Sequence, residues 1–161
     1  MDRIIGYQYN VTGATGYYFY KGEKLLCKIS TGIFFPIGIM GMGREWRSEF
    51  DYSMTICPGV SRIIEDSATG ETVAKITYVS HGRYKIGDLM DVECTNGKDT
   101  FLQGGKEIAS IVKLSGDEDV WIPEEGWLEF EPFFELKILE EIDDSTLLLI
   151  AGFPAMKFGL S

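Results

Sequence analysis

Apolar and polar residues alternate with a period of two along most of this chain, and the alternation gives way to an unbroken apolar run only near its end. Ile5, Tyr7, Tyr9 and Val11 alternate with Gly6, Gln8 and Asn10, the mark of a half-buried strand. Tyr17 to Tyr20 reads as aromatic strand, and Lys21-Gly22 turns the chain into Leu25 to Ile29. Residues 33–42 are apolar but interrupted by Pro36, Gly38 and Gly41, which argues against a regular element there. Residues 46–56 read as a further strand, closed by a Pro58-Gly59 turn. Two hairpins follow. Residues 62–66 and 71–79 flank Ser67-Ala68-Thr69-Gly70, and residues 92–95 and 98–102 flank Asn96-Gly97, whose two positions suit the positive φ of a tight hairpin turn. Between these hairpins, His81 to Gly87 is expected to be a loop. Residues 107–114 form another strand. In the last one Leu128, Phe130, Phe134, Leu136 and Ile138 fall on one face by parity, with Glu129, Glu131, Glu135 and Lys137 on the other. Pro132 lacks a donor and suits an edge or a bulge.

The final segment changes period. Asp143, Asp144 and Ser145 are N-cap residues, and Leu147 to Phe153 then contains no charge. A surface helix would show one apolar stripe, whereas this one is apolar on every side. It is too short for a bilayer, which needs about 20 apolar residues. A helix enclosed by the rest of the protein is therefore predicted. Pro154 is expected to end or kink it near Gly152 and Phe153.

Composition narrows the function classes. The net charge is -10, from 15 basic and 25 acidic residues, which opposes wholesale nucleic-acid binding and non-specific attraction to anionic membranes. Cys27, Cys57 and Cys94 are widely spaced and odd in number, without a CxxC, so neither a zinc site nor a disulfide framework is indicated. A reducing cytosol is the expected compartment. No signal peptide and no transmembrane segment are read from the chain, and the absence of a linker predicts one domain over 1–161.

Many strands followed by one apolar helix is an unusual order. It resembles the tubby C-terminal-like superfamily, which includes the LURP-one-related proteins and the phospholipid scramblases. The likeness rests on the hairpin at 63–76, Ile-Ile-Glu-Asp-Ser-Ala-Thr-Gly-Glu-Thr-Val-Ala-Lys-Ile, and on the helix at 144–158. It implies a mainly β fold, a closed antiparallel barrel of about twelve strands around a hydrophobic C-terminal helix. Leu147, Leu148, Leu149, Ile150 and Phe153 would be the core of that helix. The resemblance also implies binding rather than catalysis, because tubby domains bind phosphoinositides and scramblases act at membranes. The expected protein is a non-enzymatic cytoplasmic module, peripheral to the membrane, that recognises anionic phospholipid. A protein-interaction domain and an enzyme of unrecognised type are the alternatives.

Candidate sites follow from charge and position. His81, Arg83 and Lys85 place three potentially cationic groups in one predicted loop, as a phosphate or lipid headgroup needs. Arg44 and Arg47 follow the apolar 33–42 stretch as interfacial anchors would. Lys21, Lys24 and Lys28 form a second basic cluster, with Lys24 and Lys28 on one strand face by parity. Trp121 and Trp127 flank Pro123 to Gly126 as a partner-binding rim. Nucleophilic catalysis would have to run through His81, the single histidine, with Cys57 or Ser80, and neither sits in a nucleophile signature. Glu124, Glu125, Glu129 and Glu131 are explained as solvated carboxylates. No catalytic residue, metal site or cofactor is predicted.

Overall fold

The computed structural model describes residues 3–11, 14–31, 36–51, 61–124, 126, 128–158 and 160. The alternating segments form twelve strands: β1 (Ile4–Val11), β2 (Ala14–Lys21), β3 (Lys24–Ser30), β4 (Ile37–Gly41), β5 (Arg44–Phe50), β6 (Ser61–Asp66), β7 (Thr72–Ser80), β8 (Arg83–Ile86), β9 (Met90–Thr95), β10 (Lys98–Gln103), β11 (Lys106–Lys113) and β12 (Glu131–Ile138). Each pairs antiparallel with its neighbours in sequence, and β1 closes on β12, so the sheet is a closed barrel without an edge. The apolar run forms α1 (Asp144–Met156).

The helix lies inside the ring. Phe101 on β10 meets the Phe153 ring edge to face at 5.5 Å, and Ile39 on β4 lies against Gly152, where an added Cβ would come within 2.9 Å of it. β4 and β10 stand six places apart in either direction around the barrel, on opposite walls. Burial agrees: every residue from Leu148 to Met156 is buried, and all twelve strands contribute to the surrounding core. This explains why the segment needs no polar stripe. Asp143 is the N-cap, its carboxylate accepting the Thr146 N–H at 2.7 Å. At the other end Lys157 Nζ meets both oxygens of buried Asp99, at 2.9 and 3.1 Å, placing a cation at the negative end of the helix dipole. Thirteen residues span about 20 Å, enough to run from one mouth of the barrel to the other.

Several expectations are corrected by the structure. Pro154 does not end the helix, which continues to Met156. The residues after it, Ala155 and Met156, are buried in the core, and their packing holds the last turn in helical form. Residues 37–41 form the regular strand β4, because Gly38 and Gly41 serve close packing. A Cβ at Gly41 would sit 2.3 Å from the Leu26 carbonyl. Residues 83–86 are strand, not loop: Tyr84 and Ile86 turn to the core while Arg83 and Lys85 turn out. In β12, Gly6 pairs with Phe134 but Tyr7 with Pro132, so Phe133 is an extra residue that reverses parity. Leu136 joins the helix core and Phe130 does not. Expectations placed on Thr12, Gly13, residues 33–35, residues 52–56, Cys57, Pro58, Gly59, Glu125 and Trp127 lie outside the described residues.

A second, smaller core sits on the opposite face of β1 and β2. Tyr7, Tyr9, Tyr18, Tyr20 and Phe130 pack together there, with Tyr9 and Tyr18 stacked at 4.7 Å. The segment between β11 and β12 lies across them, its Leu114, Val120 and Leu128 against this cluster. The Tyr7 hydroxyl donates to the Trp121 carbonyl, and the Trp121 ring meets Tyr20 at 5.4 Å.

Candidate functional site

The residues singled out in sequence do not converge. His81 is exposed in the turn before β8, at the end of the barrel where the helix finishes. Arg83 and Lys85 are exposed on β8, and their register partners on β9 are Glu93 and Asp91. Opposite charges across a strand pair offset one another, so this hairpin face carries little net field. Arg47 is on the outer face of β5, 3.2 Å from Glu65 of β6. Arg44, at the start of the same strand, turns instead to the mouth where the helix begins. It donates to the Met42 carbonyl at 3.0 Å and lies 3.9 Å from the Asp144 carboxylate.

Of the formal nucleophile partners of His81, Cys57 lies outside the described residues and Ser80 is exposed at the end of β7, and the two described thiols are not reactive either. The Cys27 thiol is buried and pushed up to about 12 by desolvation. The Cys94 thiol reaches about 12 through desolvation and the adjacent Asp99 carboxylate. Such thiols are protonated at neutral pH and inert. Of the carboxylates weighed as pairs, Glu124 and Glu129 are exposed in the segment between β11 and β12, and Glu131 is exposed at the start of β12, opposite Gln8. Among the described residues, no group of three or more His, Cys, Asp or Glu side chains is arranged to hold a metal.

Among the described residues, the barrel has an opening that sequence reading did not find. Beside the start of the helix, an open cleft of about 840 Å³ is bounded by the first residues of β1 and β3, the last of β2 and β12, and the helix entry. Its floor is apolar, formed by Ile4, Leu26, Met42, Leu136, Ile142 and Leu147. Its rim is charged. Four acidic residues line it, Glu135, Glu140, Glu141 and Asp144. Arg3 holds Glu135 through two bonds, at 2.7 and 3.1 Å, which keeps that carboxyl below the usual carboxylate range. Lys106 forms an ion pair with Glu140, and Arg44 faces Asp144. The lining itself is balanced, with Arg3, Lys21, Lys24 and Lys137 against these four carboxylates, and because Lys106 and Arg44 reach Glu140 and Asp144 from outside it, the Lys21–Lys24 side of the opening is its basic side. Glu23, at the tip of the turn between Lys21 and Lys24, does not line the cleft.

A strand irregularity creates the lysine pair. Tyr20 pairs with Leu25 but Phe19 with Cys27, so Leu26 is an extra residue in β3. The bulge sends both Leu26 and Cys27 toward the core. It also parts the lysines that parity had grouped: Lys28 pairs with Tyr18 and lies over its ring at 5.3 Å, on the outer face, while Lys24 pairs with Lys21 at the mouth. The one part of this arrangement readable in sequence is the short Lys21-Gly22-Glu23-Lys24 turn. No protein-family model, curated protein or solved structure matches this chain.

Proposed function

We propose that this chain is a non-enzymatic, tubby-like binding module that recognises anionic phospholipid headgroups at a membrane surface, with the mouth cleft as its site. One observation carries the reading. Lys21 and Lys24 are register partners at the rim of an open, apolar-floored cleft. Like charges set opposite each other on a strand pair are destabilising, and an anion between them removes the cost. The apolar lining beneath suits an amphiphile better than a free ion. The interior favours binding over catalysis, because a helix fills the lumen and both described thiols are held protonated. The peripheral reading is compatible with the helices, since none among the described residues is long and apolar enough to cross a membrane.

The test is flotation with vesicles of neutral lipid, with and without an anionic phospholipid, at low salt. Binding to the anionic vesicles is expected, with loss in the Lys21→Glu plus Lys24→Glu protein and retention in Arg83→Ala plus Lys85→Ala. The reverse pattern moves the site to the β8–β9 hairpin. No flotation of the unmodified chain at low salt ends the lipid reading.

A second reading has its own support. Trp121 and Ile122 are neighbours at the crest of the segment covering the outer aromatic cluster, 43% and 48% exposed. Adjacent large apolar groups on a surface suit a protein partner. Trp121→Ala that abolishes capture of a defined partner, while vesicle flotation is unaffected, would favour it.

A further inference from the structure

The cleft is built for more than a headgroup. From its floor we infer that it takes up a single hydrocarbon chain of the bound lipid, with the Lys21–Lys24 pair holding the anionic group at the chain's end. This deepens the lipid reading above and rests on it.

The floor is the first observation. Six apolar side chains from both walls and the helix entry converge there, Ile4, Leu26, Met42, Leu136, Ile142 and Leu147. A phosphate or inositol ring needs donors on all sides. The cations capable of this are at the rim, so the depth of the cleft has no headgroup to recognise. About 840 Å³ lies within the range of roughly 300–1,000 Å³ found for pockets that enclose most of a small ligand.

The second observation is backbone strain at one of these positions. The β4–β5 hairpin turns through Met42 and Gly43, with φ of 51° and 77°. A two-residue turn of this kind favours Asn or Gly at its first position, because a side chain in the left-handed region is strained. Methionine stands there instead, and its side chain lines the cleft. A flexible thioether is the side chain best able to fit a mobile chain. The turn alone favours a different residue at position 42, and the methionine keeps an apolar, adaptable group at the edge of the helix core where the cleft opens. The Leu26 bulge acts in the same sense. It costs a regular β2–β3 register and directs one more apolar group toward the core.

The experiment uses water-soluble monoalkyl phosphates with six, eight, ten and twelve carbons, each below its micelle concentration, with inorganic phosphate as the head alone. Calorimetric titration of the whole chain reads affinity. Each added methylene is expected to tighten binding about fourfold, the value of burying one CH₂. Inorganic phosphate is expected to bind far more weakly than the octyl compound. Two variants place the chain. Met42→Asn relieves the turn strain but gives up an apolar contact with the core, so Tm should move by no more than about 6 °C in either direction, and the decyl compound should bind several-fold more weakly. Leu25→Asp, at an exposed lining position, should weaken it as well without affecting folding. An affinity independent of chain length, or inorganic phosphate binding as well as octyl phosphate, overturns the inference. If anionic vesicles still bind in that case, the headgroup reading survives. A chain-length slope unchanged in both variants also overturns it, because the alkyl chain then lies elsewhere. A steep slope that both variants reduce supports the inference, and failure of vesicles to bind alongside it would remove only the membrane surface from the account.

Discussion

Replacing Phe153 by alanine is the sharpest test of a helix threaded through the barrel. Phe153 is fully buried, and its ring meets Phe101 edge to face at 5.5 Å and Tyr84 at 5.4 Å. Truncating a buried phenylalanine costs about 3–5 kcal/mol, and the two edge-to-face contacts place this one in the upper half of that range. Five residues further on, Phe158 is 67% exposed, past the end of the helix. Its replacement should cost under about 0.5 kcal/mol. The two substitutions remove the same atoms from neighbouring positions, so the difference between them reports enclosure alone. For a domain of this size, about 4 kcal/mol lowers Tm by roughly 8–16 °C. Urea unfolding followed by far-UV circular dichroism gives the same quantity as a shift of midpoint at constant slope. Equal, small effects at both positions would mean that the helix is not enclosed, and the fold described above would be wrong.

Other consequences follow from single sites. Gly41→Ala places a Cβ 2.3 Å from the Leu26 carbonyl oxygen and 2.7 Å from Cys27 Cα, and neither backbone can yield, so a loss of about 2–3 kcal/mol is expected in denaturant melts. Asp143→Ala removes the helix N-cap and should cost about 1 kcal/mol near neutral pH. The bonds it accepts from Thr146 lower the Asp143 pKa on folding. Its stabilisation is therefore full above the ordinary aspartate range of about 4 and disappears as pH falls through the lowered value, so the wild type and the alanine variant should converge in acid melts. Divergence that grows below that range would refute the capping role. In a Cys57→Ser background, Cys27 and Cys94 should react with a thiol reagent at pH 8 at least about a thousandfold more slowly than a free thiol, and both should become reactive in denaturant. Fast native-state labelling of Cys27 would show that the barrel opens.

How far the sequence reached depended on the range of the physics involved. Alternation is local, and it marked most of the strands. The uncharged run from Leu147 to Phe153 required enclosure, because an all-apolar helix has no face to give to water. The Asn96-Gly97 turn was readable for the same reason, and both residues have positive φ. Parity failed at Leu26 and Phe133, because a bulge is set by the register of a partner strand and leaves no local trace. β8 was missed because four residues between two turns are too few to show a period, and β4 because its glycines serve the approach of β3. The cleft was beyond reach altogether. Its lining runs from Arg3 to Leu147 and comes together only where four strand ends and the helix entry meet at one mouth. Side-chain chemistry along the chain thus determined the elements and the need to bury the last of them. The β2–β3 turn sets Lys21 opposite Lys24, whereas closure of β1 onto β12 decided what those lysines look onto, since Arg3 and Ile4 meet Glu135 to Ile138 in the cleft only across that seam.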